Sequence, residues 1–158
     1  MSATSANRRA EFKRRFGIVK YNNKWSVTMA QVGVRHAVAA SSWPHWQFLK
    51  FTGRRGSESR GIVDMIAIRK DHAEPKRGTK RGDLLQIILI QVKGGKAANP
   101  TPEDCRRLRL VARHHAACGI LLATWKKGKA AKFFPLRPRL KNGRGNWVAV
   151  DDLKTIFG

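Results

Sequence analysis

The stretch "LLQIILIQVKGG", residues 84–95, predicts a core strand of the protein. Residues 84–93 are apolar almost without interruption, which is typical of a strand covered on both faces of a sheet. The run nevertheless ends on Lys93, and an earlier apolar run, "GIVDMIAIRK" at 61–70, contains Asp64. Because acids are scarce in this chain, a carboxylate and an ammonium group at two core strands indicate either a functional site or structural ion partners.

The segments before these strands predict a helix and a further strand. Residues 26–40 place apolar residues near helical spacing, with Ser26 as a candidate N-cap. Pro44 disfavours helical geometry in the residue before it, so the helix should end upstream. Residues 46–53 and 62–69 then predict two strands, separated by a polar, glycine-containing loop, and residues 70–83 predict a charged surface loop.

The segments after residue 95 begin with the clearest helix signal in the chain, at 101–117. Thr101 is a good N-cap, Pro102 suits the first helical position, and Asp104 completes a pair resembling a capping box. Strands follow at 120–125 and 130–136, and then come a short strand at 147–150 and a terminal helical turn. We therefore expect a single α/β domain with a mixed central sheet flanked by helices. The predicted domain spans residues 25–158, preceded by a basic and flexible arm at 1–24.

Charge is the outstanding feature of the composition. Lys and Arg number 33 against 10 Asp and Glu in 158 residues, a net charge of +23. Such a charge favours polyanionic partners, nucleic acids above all. A membrane is not expected as a partner, since no apolar stretch reaches the roughly 18 residues of a spanning helix. The basic N-terminus lacks the apolar core of a secretory signal, so we expect a cytoplasmic protein.

Residues at the ends of the two core strands can form a metal site. Gln91 and Lys93 are two residues apart and share one face of a strand. If the strands at 62–69 and 84–93 are neighbours, Asp64 lies beside them. The Asp64 carboxylate, the Gln91 amide oxygen and the Val92 backbone carbonyl would then offer oxygen ligands to Mg²⁺ or Mn²⁺. Lys93 would position a water that attacks a phosphodiester.

This pattern resembles the PD-(D/E)xK nuclease superfamily. Gly61-Ile62-Val63-Asp64 matches the Asp motif, Gln91-Val92-Lys93 matches the (D/E)xK motif, and the likeness covers about residues 26–136. Archaeal-type Holliday junction resolvases look similar here, and the QxK variant looks like Mrr-like restriction endonucleases. The resemblance implies a restriction-endonuclease-like fold and a Mg²⁺-dependent DNA endonuclease, with Asp64, Gln91 and Lys93 as catalytic residues. It leaves a homodimer open, since superfamily members that cut both strands commonly act as dimers.

The sequence departs from the superfamily pattern in its acids. Val63 stands where the motif has proline, and Gln91 replaces the second carboxylate, so one acid alone would offset the metal charge. The first helix offers only Gln31 where many members carry a Glu. Glu11 in the arm and Glu58 in the loop are both candidates for a further acidic ligand, and the sequence does not choose between them.

Basic side chains in several segments are candidates for phosphate contact. They lie in the arm, in the loop before Asp64, in the loop after it and on the long helix: Arg14, Arg15, Arg54, Arg55, Lys76, Arg77, Lys80, Arg81, Arg106, Arg107 and Arg113.

Blander interpretations compete with each of these assignments. Asp64 could be a structural acid that accepts backbone N–H groups or pairs with Arg69, and Lys93 could be a solvent-facing charge at a strand end. The whole chain could be a non-catalytic nucleic-acid-binding protein that keeps the nuclease fold, or a small basic RNA-associated protein.

Overall fold

The computed structural model describes residues 18–51, 61–75, 78–94, 99–137 and 146–158, with side chains from residue 26 onward except that of residue 146. Within these ranges, nine elements follow one another. They are α1 (Ile18–Ala39), β1 (Gln47–Lys50), β2 (Met65–Lys70), β3 (Leu85–Gly94), α2 (Pro102–His114), β4 (Gly119–Trp125), β5 (Lys132–Arg137), β6 (Asn146–Trp147) and α3 (Lys154–Phe157).

The strands form one mixed sheet in the order β1-β2-β3-β4-β5-β6. The first three strands are antiparallel neighbours, α2 connects β3 to the parallel strand β4, and β5 returns antiparallel to β4. β6 adds only two residues at the edge of β5. The predicted fold class, a single α/β domain with a mixed sheet flanked by helices, is confirmed.

The first helix begins earlier than the sequence suggested. α1 begins at Ile18, so residues 18–24, which the sequence assigned to the arm, belong to this helix, and Ser26 lies inside it rather than at its cap. Ser26 is 5% exposed and packs where the helix passes β3. The rest of the proposed arm, residues 1–17, lies outside the described residues.

Two layers of side chains cover the two faces of the sheet. On one face, Ala30, Val34 and Val38 of α1 pack in a single buried cluster with the alternate strand residues Met65 and Ile90. The intervening residues of β2 and β3 therefore point to the opposite face. Cys105 and Leu108, the buried residues of α2, lie outside that first cluster. Asp64, Gln91 and Lys93 belong to the second face by this alternation.

The N-terminus of α2 has the predicted cap. The Thr101 hydroxyl accepts a hydrogen bond from the Asp104 N–H at 3.1 Å, and the Asp104 carboxylate accepts one from the Thr101 N–H at 3.0 Å. This reciprocal capping box satisfies two of the N–H groups that the first turn of a helix leaves open. It fixes where α2 starts, next to the end of β3.

Gly94 permits the close approach of α1 to the end of β3. A Cβ atom at this position would lie 2.6 Å from the Ser26 Cβ and 2.7 Å from the Val27 backbone nitrogen. Only a residue without a side chain fits there, because the helix backbone cannot yield locally. The glycine after Lys93 is therefore a packing requirement of the fold.

Candidate active site

Asp64 lies beside the end of β3 that carries Gln91. The pairing of β2 with β3 aligns Met65 with Ile90, so Asp64, one residue earlier, comes alongside Gln91, one residue later. The Asp64 N–H donates to the Ile90 carbonyl at 3.0 Å, which extends the pairing with β3 to the residue before the start of β2. Asp64, Gln91 and Lys93 therefore lie on neighbouring strands and on one face of the sheet, the arrangement that the sequence predicted.

The Asp64 carboxylate is held by the backbone of β3. Its Oδ2 accepts a hydrogen bond from the Val92 N–H at 2.6 Å. A short bond from an amide to a carboxylate is charge-assisted and fixes the direction of the acid. An ionised carboxylate offers about four lone-pair sites, so this bond is compatible with a metal ligand as well as with a structural acid.

Arg69 does not supply the alternative partner for Asp64. Its Nε donates to the Gln86 side-chain oxygen at 2.7 Å, and its guanidinium lies over the Trp46 ring, 4.4 Å from the ring centroid. These contacts are at the far end of β2, five residues from Asp64. Arg69 is therefore not an ion partner of Asp64, whereas the Val92 N–H is a structural partner of this acid.

Gln91 is the most informative side chain of the site. It is 6% exposed, and its Oε1 is buried with no hydrogen-bond partner in the part of the chain that the structure describes. A buried polar atom without a partner costs about 1–3 kcal/mol, so native proteins rarely keep one without a reason. Its position beside Asp64 makes an absent ligand the simplest reason.

Lys93 is half-buried one step further along β3, on the same face as Gln91. Its charge is one of the smaller contributions to the lowered pKa of Asp104, in the first turn of α2. The main cause of that lowering is the hydrogen bond from the Thr101 N–H, and burial opposes it. The capped helix start thus brings a second carboxylate into the electrostatic environment of the lysine, which the sequence pattern did not reveal.

The ligand atoms that Asp64, Gln91 and Val92 offer are oxygens, the type that a hard divalent cation binds. Mg²⁺ prefers oxygen ligands and is commonly held by one or two carboxylates, with waters completing the octahedron. Asp64 and the Gln91 Oε1 supply such oxygens, and the Val92 carbonyl faces the same side as the Val92 N–H, as in any strand. No group of three or more His, Cys, Asp and Glu side chains that could bind a metal occurs among the described residues.

Several predicted site residues fall outside the described residues. They are Glu11, Arg14, Arg15, Arg54, Arg55, Glu58, Lys76 and Arg77. The candidates for a further acidic ligand are both in this group. Gln31, by contrast, is a half-buried residue of α1, which packs on the sheet face opposite Asp64.

The remaining predicted phosphate ligands are exposed, but they differ in their contacts. Arg106 donates to Glu103 through two nitrogens and forms an ion pair at 2.7 Å, so its charge is largely offset. The Arg81 Nε donates to the His72 carbonyl at 2.8 Å. Lys80, Arg107 and Arg113 are exposed.

Sequence reasoning missed a basic cleft that begins at Lys93. The cleft has a volume of about 460 Å³, and Lys126, Lys129 and Lys132 of the β4–β5 hairpin line it together with Lys93. Strand register explains the grouping, because Lys93 aligns with Thr124 and Thr124 with Lys132. The signal in the sequence was "KKGKAAK" at 126–132, which resembles an ordinary charged turn until β4 is aligned with β3.

Comparison with models of known protein families and with curated proteins gives no match for this chain. Within the described ranges, none of the helices has the length and apolar character needed to cross a membrane.

Proposed function

We propose that the chain is a metal-dependent DNA endonuclease of the PD-(D/E)xK type, with Asp64, Gln91 and Lys93 as its catalytic residues. The observation that carries the proposal is the buried Oε1 of Gln91, which has no hydrogen-bond partner among the described residues and lies beside Asp64 on the face that holds Lys93. A net charge of +23 supports a nucleic acid as the substrate. Branched or structured DNA is the substrate that the resemblance to junction resolvases suggests.

Each residue has a distinct role in this proposal. Asp64, oriented by the Val92 N–H, and Gln91 would hold Mg²⁺ or Mn²⁺ together with the Val92 carbonyl. When bound, the cation supplies Lewis-acid stabilisation of charge on the phosphoryl oxygens. Lys93 orients the attacking water and places a positive charge beside the scissile phosphate. Burial of Gln91 restricts bulk water on the inner side of the site.

A second candidate function is nucleic-acid binding without catalysis on the same fold. The observation that favours it is the 2.6 Å bond from the Val92 N–H to Asp64, which gives this acid a structural role whether or not a metal binds. The replacement of the second carboxylate by Gln91 also lowers the charge available to hold a divalent cation. The two candidates differ in one property, metal-dependent cleavage.

Cleavage assays on the purified chain separate the two candidates. Branched, linear and supercoiled DNA are incubated with Mg²⁺, with Mn²⁺ and with EDTA. The nuclease proposal expects cleavage with a divalent metal and none with EDTA. If the parent protein cleaves no DNA under any of these metals, the nuclease proposal is wrong and binding without catalysis is the candidate that remains.

Two substitutions assign the activity to this site. Asp64→Asn keeps the shape but removes the metal-binding charge, so cleavage should be abolished while DNA affinity stays equal or rises slightly. Lys93→Ala should also abolish cleavage, through loss of the group that orients the water. Asp151→Asn, an exposed acid outside the site, serves as the control and should cleave like the parent. Parent-like cleavage by Asp64→Asn would attribute the activity to another site or a contaminant.

A further inference from the structure

We infer that the basic cleft at the β4–β5 hairpin binds the sugar-phosphate backbone of a single-stranded nucleic acid segment and leads that strand to Lys93. The inference rests on the proposed function for the chemistry at Lys93, and it adds the substrate class and the path of the substrate. It concerns three lysines that neither the motif nor the sequence pattern assigned to the site: Lys126, Lys129 and Lys132.

The charge of the cleft is of one sign. Among the described residues, its lining includes four lysines and no acidic side chain. The three hairpin lysines are exposed, and the single ion pair found within the described ranges, Arg106 with Glu103, lies on α2. A concave surface lined by unscreened cations concentrates the local field and attracts the phosphates of a polyanion.

The size and wall chemistry of the cleft favour a single strand over a duplex. A volume of about 460 Å³ lies in the range of small-ligand pockets, about 300–1,000 Å³, and admits nucleotide units one at a time. Phe134 contributes a half-buried aromatic ring to the same lining, whereas Trp125, also a lining residue, packs its side chain against the α1-side cluster. Lysines combined with aromatic side chains are the components with which proteins bind single strands, because cations track the backbone while rings contact bases.

The sheet register links this cleft to the candidate active site. One row of paired residues runs Gln91–Leu122–Phe134 across β3, β4 and β5, and the next row runs Lys93–Thr124–Lys132. Asp64 lies at the start of the first row, alongside Gln91. A strand whose phosphates follow the hairpin lysines therefore arrives at Lys93, one row away from Asp64 and Gln91.

The test is equilibrium binding of a fluorescently labelled single-stranded oligonucleotide in EDTA, measured by anisotropy over a series of salt concentrations. The variant is the triple substitution Lys126→Gln, Lys129→Gln and Lys132→Gln. Each lost phosphate contact lowers the salt slope by about 0.7 for single strands, so the triple variant should lose about 2 in slope. At 0.1 M salt this corresponds to roughly five-fold weaker binding per lysine and about 100-fold in all.

Matched controls separate the cleft from overall charge. The triple variant Lys50→Gln, Lys70→Gln and Lys154→Gln removes the same charge from exposed positions outside the cleft. Lys127→Gln removes one charge from the same hairpin at a residue that does not line the cleft. Both should change affinity only a few-fold. Because all these side chains are exposed, thermal melting should show equal stability for every variant.

The outcomes either support or overturn the inference. Parent-like single-strand binding by the cleft variant overturns it, as does an equal loss in the control triple. A parent that prefers duplex of the same sequence, with the cleft variant weakening duplex as strongly, overturns the assignment to single strands. Binding in EDTA does not depend on catalysis, so loss of cleft binding without metal-dependent cleavage would refute only the nuclease proposal.

Discussion

Substitution of Gln91 shows whether this side chain is a metal ligand or a structural residue. The two roles predict changes of opposite sign in the unfolding free energy of the metal-free protein. Gln91→Met keeps an unbranched side chain of similar length and removes the buried amide. If the Oε1 has no partner in the metal-free protein, the amide is a liability of about 1–3 kcal/mol, and most of this should be regained. We expect Gln91→Met to raise the free energy of unfolding in EDTA by about 1–2 kcal/mol, equivalent to roughly 2–8 °C in Tm.

Mg²⁺ should reverse the ranking of the parent and this variant. A ligand at a hundred times its Kd stabilises the protein that binds it by about 2.7 kcal/mol, which exceeds the advantage of about 1–2 kcal/mol expected for the variant in EDTA. The parent should therefore gain stability with added Mg²⁺, whereas Gln91→Met should gain little and lose cleavage. Gln91→Glu gives the opposite pattern. A second carboxylate beside Asp64 destabilises the metal-free protein through burial and like charge, and it should tighten metal binding.

The assay is urea unfolding followed by circular dichroism, with and without Mg²⁺, on the parent and both variants. Lower stability of Gln91→Met in EDTA would refute the reasoning, because it would mean that the Gln91 amide makes favourable contacts that the methionine cannot replace. The same conclusion would follow if Mg²⁺ shifted none of the three unfolding curves.

Three further predictions concern the elements that place the site. Gly94→Ala should destabilise the fold by about 1–3 kcal/mol in urea unfolding, because its Cβ would meet the Ser26 Cβ at 2.6 Å. Gly119→Ala is the control and should be tolerated, since its Cβ would meet only Ile88 side-chain atoms at 3.6 Å and beyond. Equal losses of stability in the two variants would refute this packing argument. Thr101→Ala should cost about 1 kcal/mol through loss of the N-cap, and an unchanged unfolding midpoint would contradict the role of the capping box. The lowered pKa of Asp104 contributes stability that is fully present above the ordinary pKa of 3.8 and is lost as the pH falls through the lower folded-state pKa. Asp104→Asn should therefore flatten the acid side of a plot of unfolding free energy against pH. An unchanged acid side would contradict this contribution of Asp104.

Much of the fold could be predicted because its signals are local. The continuous apolar run ending at Lys93 became β3, and the capping box at Thr101 fixed the start of α2. Pro44 correctly predicted that the first helix would end before it, since α1 ends at Ala39. The start of α1 was misjudged because a plausible cap residue, Ser26, is instead buried against β3 next to Gly94, a tertiary contact that no local pattern shows.

The candidate site likewise combines features that a local sequence pattern predicts with features that depend on tertiary structure. Period-two alternation placed Gln91 and Lys93 on one face, and the alignment of β2 with β3 brings Asp64 to them. The features of the site that the sequence could not predict depend on the pairing of strands that are far apart in the sequence. The hairpin lysines lie near Lys93 only because β3 pairs with β4 in parallel. That the Gln91 Oε1 has no hydrogen-bond partner among the described residues is seen only in the folded structure.

Anomalous scattering from crystals of the protein soaked in Mn²⁺ locates a bound metal without reference to activity. We expect an anomalous peak between Asp64 and the Gln91 Oε1, at metal–oxygen bonding distance, about 2.1 Å for Mg²⁺, with the Val92 carbonyl as a further ligand. The peak should be absent from Asp64→Asn crystals treated in the same way. A map with no peak beside Gln91, or with Mn²⁺ bound only at other acids, would contradict the account.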